Sequence, residues 1–529
     1  MDPATIIASV KAMTPIQLGA VGLIGFYILA SLFTSIQTSI KSRSLGCQSP
    51  PWAWDPLGLR RVYNMMRYAL NHQLPLYSVK LFKDFNTKTV PIIDFGKPGY
   101  LTCDPRNIQA ALATNFKDWG FGSARYPMLP ILGDGIFTQD GEAWAHSRSM
   151  IRPSFTKSQI ADFESLEEHM QEFFTTLEMT TKSDGAVSLK PLFSDLTMDF
   201  ASEFLFGETA NSLKQRREGI AETGMAHWFD AGMHHVTMSF NMGRLHNFWR
   251  PKEYRQSIKF VREFVDGFVH RALEERLAIG DIKEKERAKM NGGRYVFLNA
   301  LTDNITDPIV LRNQVLNIML AGRDTTAALL SWVLWNLARR PEVLERLKQE
   351  VAETIGVAEN ATLPTWQVLK DMRYLQAVIH ETLRLFPSVP FSNRIATRDT
   401  VLPYGGGSDG NAPLFAPKDT QLIYSIYAMQ RRPEIWGADA AEFSPDRWLR
   451  ADAGKMLREV GWGNMPFSGG PRICPGQQFA LTETSYVVSR LLQRYQWVEK
   501  APGESDVPSF EASLVTPPAD MVEVMFTKY

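Results

Sequence analysis

Hydrophobic and polar residues follow two different spacings along this chain. In 89–94 and 99–102 they alternate with the period of two that is typical of a β-strand. Through most of the remaining chain, apolar residues recur at the spacing of helices that pack on a core. The pattern therefore predicts a mainly α fold with a small β region.

The longest helical pattern begins at Asp307, a good N-cap residue, and Pro308, which suits the first helical position. It continues to Arg340, and Pro341 ends it. Its middle, 321–326, has the sequence Ala-Gly-Arg-Asp-Thr-Thr. Inside a helix Gly costs about 1 kcal/mol relative to Ala, and Asp and Thr are poor helix formers. Such a departure from good helix chemistry indicates a local distortion that is kept for function.

Near the N-terminus, no charged residue occurs from 12 to 40, the run 16–33 is apolar, and Lys41 and Arg43 follow. The length and position of this run predict a membrane anchor over 1–45 with a transmembrane helix at about 16–37. A cleaved signal peptide is the alternative, but the apolar run is long for one and the cations lie downstream of it. The positive-inside rule then places the following chain on the cytoplasmic side.

Ser49, Pro50 and Pro51, with Trp52 and Trp54, predict a stiff hinge over 46–54 that orients the body on a membrane. The length of 529 residues permits two or three domains or one large one. We assign 55–529 to a single catalytic domain.

Composition excludes some classes of function. Lys and Arg together number 57, as do Asp and Glu, so no charge excess indicates nucleic acid as a partner. The three cysteines, Cys47, Cys103 and Cys474, are too few for a disulfide framework and favour a reducing compartment.

The stretch 467–476, Phe-Ser-Gly-Gly-Pro-Arg-Ile-Cys-Pro-Gly, is the strongest chemical signal. Pro475 suits the first position of a helix, so the Cys474 sulfur would lie at a helix N-terminus, where backbone N–H groups favour a thiolate. Glycines would let the loop approach a flat cofactor. A lone cysteine is more often a small buried hydrophobe, and it is the spacing F-x-x-G-x-R-x-C-x-G that favours a metal ligand.

This spacing resembles the haem-binding loop of the cytochrome P-450 monooxygenases. The resemblance implies the cytochrome P-450 fold, with haem b as cofactor, O2 as co-substrate and Cys474 as the axial thiolate ligand of iron. It also implies cofactor-binding roles, as loop residues or as donors to the haem propionates, for Phe467, Gly470, Arg472, Gly476, Trp144, Arg148 and Arg394.

The resemblance also assigns residues away from the loop. Thr325 would hydrogen-bond to dioxygen, and Asp324 would help to supply protons to it. A structural cluster is expected from Glu381 and Arg384, spaced i and i+3, with Arg447. Walls of an apolar pocket are expected from 121–130, 224–249, 318–326, 389–391 and 514–515.

Three stretches, 133–137, 320–326 and 402–410, are most similar to the fungal and yeast members that hydroxylate alkanes and fatty acids. Terminal (ω) hydroxylation of such chains is therefore expected. No flavin- or nicotinamide-binding G-x-G-x-x-G unit is recognised, so a separate NADPH–cytochrome reductase would supply electrons, at the endoplasmic reticulum membrane. The alternatives are the same chemistry on an intermediate of a fungal biosynthetic pathway, a haem protein that isomerises peroxides, and an anchored scaffold without haem.

Overall fold

The computed structural model describes residues 14–50, 55, 58–94, 97–155, 163–242, 249–279 and 295–529. The described chain is mainly helical with three small sheets, as the hydrophobic pattern predicted. The α-helices are α1 Pro15–Ser44, α2 Leu59–Leu70, α3 Leu74–Asp84, α4 Pro105–Gln109, α5 Leu129–Leu132, α6 Gly141–Ile151, α7 Phe163–Thr180, α8 Leu189–Phe206, α9 Ser212–Arg217, α10 Met225–Met242, α11 Lys252–Ile279, α12 Phe297–Thr302, α13 Pro308–Leu337, α14 Pro341–Ile355, α15 Trp366–Asp371, α16 Arg373–Leu385, α17 Ile426–Met429, α18 Pro433–Trp436, α19 Ala453–Val460 and α20 Gln477–Arg494.

The strands lie in sheets of five, three and two. They are β1 Thr89–Asp94, β2 Lys97–Thr102, β3 Trp119–Gly120, β4 Ala186–Ser188, β5 Phe391–Ala396, β6 Thr400–Gly406, β7 Ala412–Ala416, β8 Gln421–Ser425, β9 Tyr495–Lys500 and β10 Glu523–Lys528. The orders are β1-β2-β8-β5-β3, β4-β10-β9 and β6-β7. The pair β1–β2 is antiparallel with Thr89 opposite Thr102, which confirms both predicted strands.

Helix α13 is the central element and packs against α8, α11, α16 and α20. Asp307 caps it, as predicted, because its side chain accepts from the backbone N–H groups of Ile309 and Val310. The helix ends at Leu337, three residues before the predicted end, and it runs unbroken through 321–326, where a distortion was predicted. Residues before 321 belong to one hydrophobic core cluster and residues after 326 to another. The segment with poor helix formers therefore separates two cores.

The N-terminal apolar run forms α1, which a capping box between Thr14 and Gln17 begins. Among the residues that the structure describes, no helix is long and apolar enough to cross a membrane. The transmembrane span predicted for 16–37 is therefore not supported. Residues 51–54 of the predicted hinge lie outside the described residues, and the boundaries 1–45, 46–54 and 55–529 stay predictions.

The glycine run 405–407 lies in the hairpin that joins β6 to β7. Gly405, Gly407 and Gly410 match the spacing G-x-G-x-x-G, so the expectation that the chain has no such spacing is wrong. A dinucleotide site of this kind needs a helix to begin after the glycines, and here a strand follows instead. The hairpin instead binds the chain after α1, since Gly407 N–H donates to Ser49 O at 3.0 Å and Gln48 N–H donates to Pro413 O at 2.9 Å.

Candidate active site

A mainly apolar cavity of about 570 Å³ lies between α13, the loop before α20 and the helices α2 and α3. All five predicted wall segments contribute to it, the segment 224–249 through Phe240. The cavity also brings together most of the predicted site residues, namely Thr325, Cys474, Phe467, Arg472, Gly476, Trp144, Arg148 and Arg394. Asp324 and Gly470 are not among the described residues that line it.

The loop before α20 is held by its own backbone. Cys474 N–H donates to Phe467 O at 2.9 Å, which closes the loop across the intervening residues. Helix α20 begins at Gln477 with Gly476 as N-cap, so the prediction that Pro475 is the first helical residue is wrong. Pro475 lies in the turn instead, because the N-cap follows it rather than precedes it.

At Cys474 the structure adds an effect that the sequence prediction did not include, the burial of the thiol. Burial raises the pKa of the Cys474 thiol, whereas the Gly476 backbone N–H and the Arg148 guanidinium act in the opposite direction. The helix terminus therefore assists a thiolate, but burial outweighs it. A bound metal ion would reverse this balance, because metal coordination deprotonates a thiol outright.

The loop glycines are required by protein packing. Gly470 has φ +66°, and a Cβ there would collide with the backbone carbonyl of Leu112. A Cβ at Gly469 would lie 2.5 Å from the Trp462 ring. At Gly476 a Cβ would make only ordinary contact with Phe155, at 3.6 Å. Protein packing alone is therefore sufficient to require glycine at Gly469 and Gly470.

Two predicted donors, Trp144 and Arg148, each contact a residue of the loop before α20. Arg148 Nη2 donates to Ile473 O at 2.6 Å, one residue before Cys474. The Arg472 guanidinium lies 4.3 Å from the centre of the Trp144 ring. Arg472 Nη2 also donates to Asp140 Oδ1 at 2.7 Å.

Three guanidiniums surround one aromatic ring beside the cavity. Those of Arg125, Arg394 and Arg472 each lie 4.4 Å from the centre of the Phe121 ring. Burial lowers the pKa of Arg472 to about 9, and the neighbouring charges of Arg394 and Arg125 contribute to the shift. Burial and Arg394 likewise lower the pKa of Arg125 to about 10.

This arginine cluster, Arg125, Arg394 and Arg472, fits the haem that the resemblance implies. Among the described residues it faces one carboxylate, Asp140, which also accepts from the backbone N–H groups of Phe121 and Gly122. The Nε atoms of Arg125 and Arg472 are buried without a hydrogen-bond partner. Three cations against one anion leave two positive charges, which the two propionates of haem would neutralise. Sequence reasoning missed Arg125, and the only signal was its place in the wall segment 121–130.

The side chains of Thr325 and Asp324 lie in different surroundings. Thr325 Oγ1 donates to Ala321 O, one turn earlier, at 2.6 Å, and lines the cavity. Asp324 instead contacts Arg323, whose Nη1 donates to Asp324 Oδ1 at 2.9 Å. Burial raises the pKa of Asp324 to about 6, against the opposing charge of Arg323.

Arg323 joins α13 to α10. Its Nη2 donates to Asp230 Oδ2 at 2.8 Å, and its Nη1 contacts the other carboxylate oxygen of Asp230. The Arg323 side chain is 2 % exposed and that of Asp230 is 58 % exposed. The buried Asp324 is therefore connected through one guanidinium to a carboxylate at the surface.

The predicted structural cluster is formed. Arg384 donates to both oxygens of Glu381 at 2.8 Å, and Arg447 Nε lies 3.7 Å from Glu381 Oε1. All three side chains are fully buried. Glu381 also accepts from Ser444 N–H and Trp448 Nε1, so one carboxylate ties α16 to the segment 444–448.

Comparisons with known proteins agree with this geometry. Residues 56–524 match the profile of the family described as Cytochrome P450. A cytochrome P450 monooxygenase, g430, from a Fusarium species is 40 % identical over 90 % of this chain and 84 % of its own. Cytochrome P450 52A12 from Debaryomyces hansenii is 38 % identical over 93 % and 94 %. The crystal structure of the haem domain of cytochrome P450DA matches with a TM-score of 0.73 at 22 % identity, covering 91 % of this chain and 97 % of that domain.

Proposed function

Because the chain belongs to the cytochrome P450 family, we propose that it inserts one oxygen atom of O2 into the terminal C–H bond of a fatty acid or an n-alkane. As a member of this family it is a haem-thiolate monooxygenase, an oxidoreductase. The cavity is the observation that supports the proposed substrate class, because its lining is mainly apolar and includes both Thr325 and Cys474. Apolar walls of this kind suit a hydrocarbon chain.

The residues present define how haem would be held. Cys474 would bind the iron, and the arginine cluster would bind the propionates. Bound there, thiolate-ligated haem supplies the activation of O2 and the oxidation of the C–H bond. The chain contributes a dry apolar wall that orients the substrate and excludes water.

Protons are the second contribution of the chain. The reaction RH + O2 + 2 e⁻ + 2 H⁺ → ROH + H2O consumes two protons, which must cross a largely apolar interior. We assign their supply to Asp324 and Thr325. Asp324 has contact with the surface through Arg323 and Asp230, and the Thr325 hydroxyl lies in the cavity wall.

The two electrons would come from NADPH through a separate reductase. This part of the proposal rests on the sequence, in which the cytochrome P450 profile covers residues 56–524 and the one G-x-G-x-x-G match lies in a hairpin. Attachment to the endoplasmic reticulum membrane belongs to the same proposal. It is supported by the uncharged stretch 12–40, followed by Lys41 and Arg43.

Product analysis tests the proposed function. Membranes that contain this protein and a reductase would receive NADPH with a mixture of n-alkanes and medium- and long-chain fatty acids. We expect ω-hydroxy products, identified by mass spectrometry, that require NADPH and disappear in Cys474→Ala. If haem is incorporated and no chain in the mixture is oxidised, the substrate class is wrong and the enzyme acts on a biosynthetic intermediate instead.

A further inference from the structure

One wall of the cavity is formed by helices at the surface of the protein. Arg61 and Met65 of α2 line the cavity together with Leu74 and Tyr77 of α3. Helix α2 has no fully buried residue. Its opposite face is also exposed, at Leu59, Tyr63, Met66 and Leu70. The cavity therefore extends from Thr325 and Cys474 in the interior to a helix that lies against solvent.

Among the cations that line the cavity, Arg61 is the one that we assign neither to the haem propionates nor to the loop before α20. Five arginines line the cavity, namely Arg61, Arg125, Arg148, Arg394 and Arg472. Three of them form the arginine cluster, and Arg148 donates to the Ile473 carbonyl. No Asp or Glu is found among the described lining residues, so the cavity offers Arg61 no counter-charge.

The Arg61 side chain has an unused donor. Its Nη1 atom is buried and has no hydrogen-bond partner. The nearby carboxylate of Asp55 accepts from the backbone N–H groups of Arg60 and Arg61, at 3.4 and 3.0 Å. The Asp55 carboxylate therefore accepts hydrogen bonds from the backbone at the start of α2. A buried donor without a partner costs free energy, which an anionic ligand would recover.

Guanidinium chemistry indicates which ligand this is. The planar fork of arginine matches a carboxylate, and the bonds are charge-assisted. One cation suits one negative charge, and the apolar walls beyond Arg61 suit a long hydrocarbon chain. A molecule with both features is a fatty acid, whereas an n-alkane leaves Arg61 without a partner.

We propose that Arg61 binds the carboxylate of a long-chain fatty acid, whose chain runs through the cavity toward Thr325 and Cys474. This inference rests on the proposed function and narrows its substrate class. Anchoring the head at the outer wall presents the methyl end to the interior. Arg61 thereby selects acids over alkanes and favours oxidation at the ω carbon.

The test compares Arg61→Ala with Arg60→Ala, whose side chain is exposed on the same helix. Dissociation constants for a fatty acid, its methyl ester and the n-alkane of equal carbon number are measured from the change in haem absorption on binding. In Arg61→Ala we expect about 10- to 100-fold weaker binding of the acid and unchanged binding of the alkane. Arg61→Lys should recover part of the loss, and Arg60→Ala should match the wild type.

Two further readouts keep this inference separate from the proposed function. The wild type should bind the methyl ester more weakly than the acid, and Arg61→Ala should not distinguish them. Hydroxylation by Arg61→Ala should spread from the ω carbon to its neighbours. Equal affinity of the wild type and Arg61→Ala for the acid would overturn the inference while ω-hydroxylation stands. An equal loss for acid and alkane would also overturn it, since it would indicate a damaged cavity. Failure of the wild type to oxidise either chain would overturn the proposed function itself.

Discussion

Phe121 organises the charges beside the cavity. Three guanidiniums lie against its ring, and its backbone N–H donates to Asp140, the carboxylate that faces them. Cations pack favourably on an aromatic face, but like charges in a buried place repel one another. Further bound anions would stabilise the arrangement, which is why it fits a cofactor with two carboxylates.

The arginine cluster predicts that Arg125→Gln weakens haem binding, because one of the three cations for the propionates is lost. We expect about 10-fold or greater loss of affinity, measured as transfer of haem to apomyoglobin. Arg346→Gln is the matched control, since Arg346 makes a half-exposed ion pair with Asp446, lies over the Tyr374 ring and does not line the cavity. Retention of haem by Arg125→Gln at the wild-type level would remove the arginine cluster from the propionate site.

Asp324 predicts a pH dependence. Burial raises its pKa from 3.8 to about 6, and the charged groups that face it are Arg323, Asp230 and Glu511. The folded state binds this proton more tightly than the unfolded state, so the contribution of Asp324 to stability falls as pH rises from about 4 to 6. Above about pH 6 the carboxyl is mostly ionised, and the yield of hydroxylated product per NADPH should decline.

In Asp324→Asn this pH dependence should disappear, and product formation should fall about 100-fold or more, the usual range for a lost proton donor. NADPH consumption and product are measured together across pH. Asp452→Asn, an exposed carboxylate, serves as the control and should leave the profile unchanged. An unchanged profile in Asp324→Asn would exclude Asp324 from proton supply.

Sequence reasoning found site residues where a motif fixed their spacing. Cys474, Arg472 and Trp144 are of this kind, and the structure brings all three to one cavity. Arg125 and Arg61 belong to no recognised spacing. Their importance comes from the lack of counter-charges around them, which depends on the packing of segments distant in sequence.

At the scale of elements, the buried cluster of Glu381, Arg384 and Arg447 connects α16 to the segment before α19. Glu381→Gln would leave two fully buried arginines without their shared carboxylate. We expect a loss of about 3–5 kcal/mol in the free energy of unfolding, measured by chemical denaturation of the haem-loaded protein. Glu263→Gln, which removes an exposed ion pair with Lys259, should cost under about 1 kcal/mol. Equal losses for the two variants would contradict a structural role for the cluster.

Element boundaries were predicted well where local chemistry decides them. The first strand and the Asp307 cap depend on alternation and on one side chain, and both are as expected. Two other boundaries differ. Helix α13 ends at Leu337, where the Ala338 carbonyl accepts from Lys500 N–H of β9. Helix α20 begins at Gln477, after the turn that Cys474 N–H closes on Phe467 O.

At the scale of the molecule, the β6–β7 hairpin holds the chain that follows α1. Lys41 forms an ion pair with Asp399, just before β6, and the backbone of Gln48 and Ser49 bonds to the hairpin. A Cβ at Gly406 would lie 2.5 Å from Gln48 O and 2.6 Å from Pro413 O. The glycine therefore permits this close approach, and the hairpin holds the end of α1 and the chain that follows it.

Gly406→Ala should separate these segments and lower the free energy of unfolding by about 1–3 kcal/mol, the usual cost of overpacking. Limited proteolysis after α1 should become faster. Gly454→Ala is the control, because a Cβ there approaches only the flexible end of Arg458 at 3.7 Å. Unchanged proteolysis in Gly406→Ala would show that the hairpin does not hold this segment.

The fold as a whole could be predicted from the haem-loop motif, because that motif occurs with one architecture. The motif does not indicate whether α1 spans a membrane. The apolar sequence of α1 predicted a span, and the structure does not support one. Its attachment to the hairpin depends on one ion pair and on backbone contacts, all over more than 350 residues of chain separation. Such contacts have no local sequence signal.

The central claim is that Cys474 provides the thiolate of a haem monooxygenase, and one spectrum tests it most directly. The absorption spectrum of the reduced, CO-bound protein is recorded for the wild type, Cys474→Ala and Cys103→Ala, in which a buried core cysteine is removed. We predict the band characteristic of haem-thiolate in the wild type and in Cys103→Ala, and its loss in Cys474→Ala. A haem-thiolate band that persists in Cys474→Ala would contradict the account.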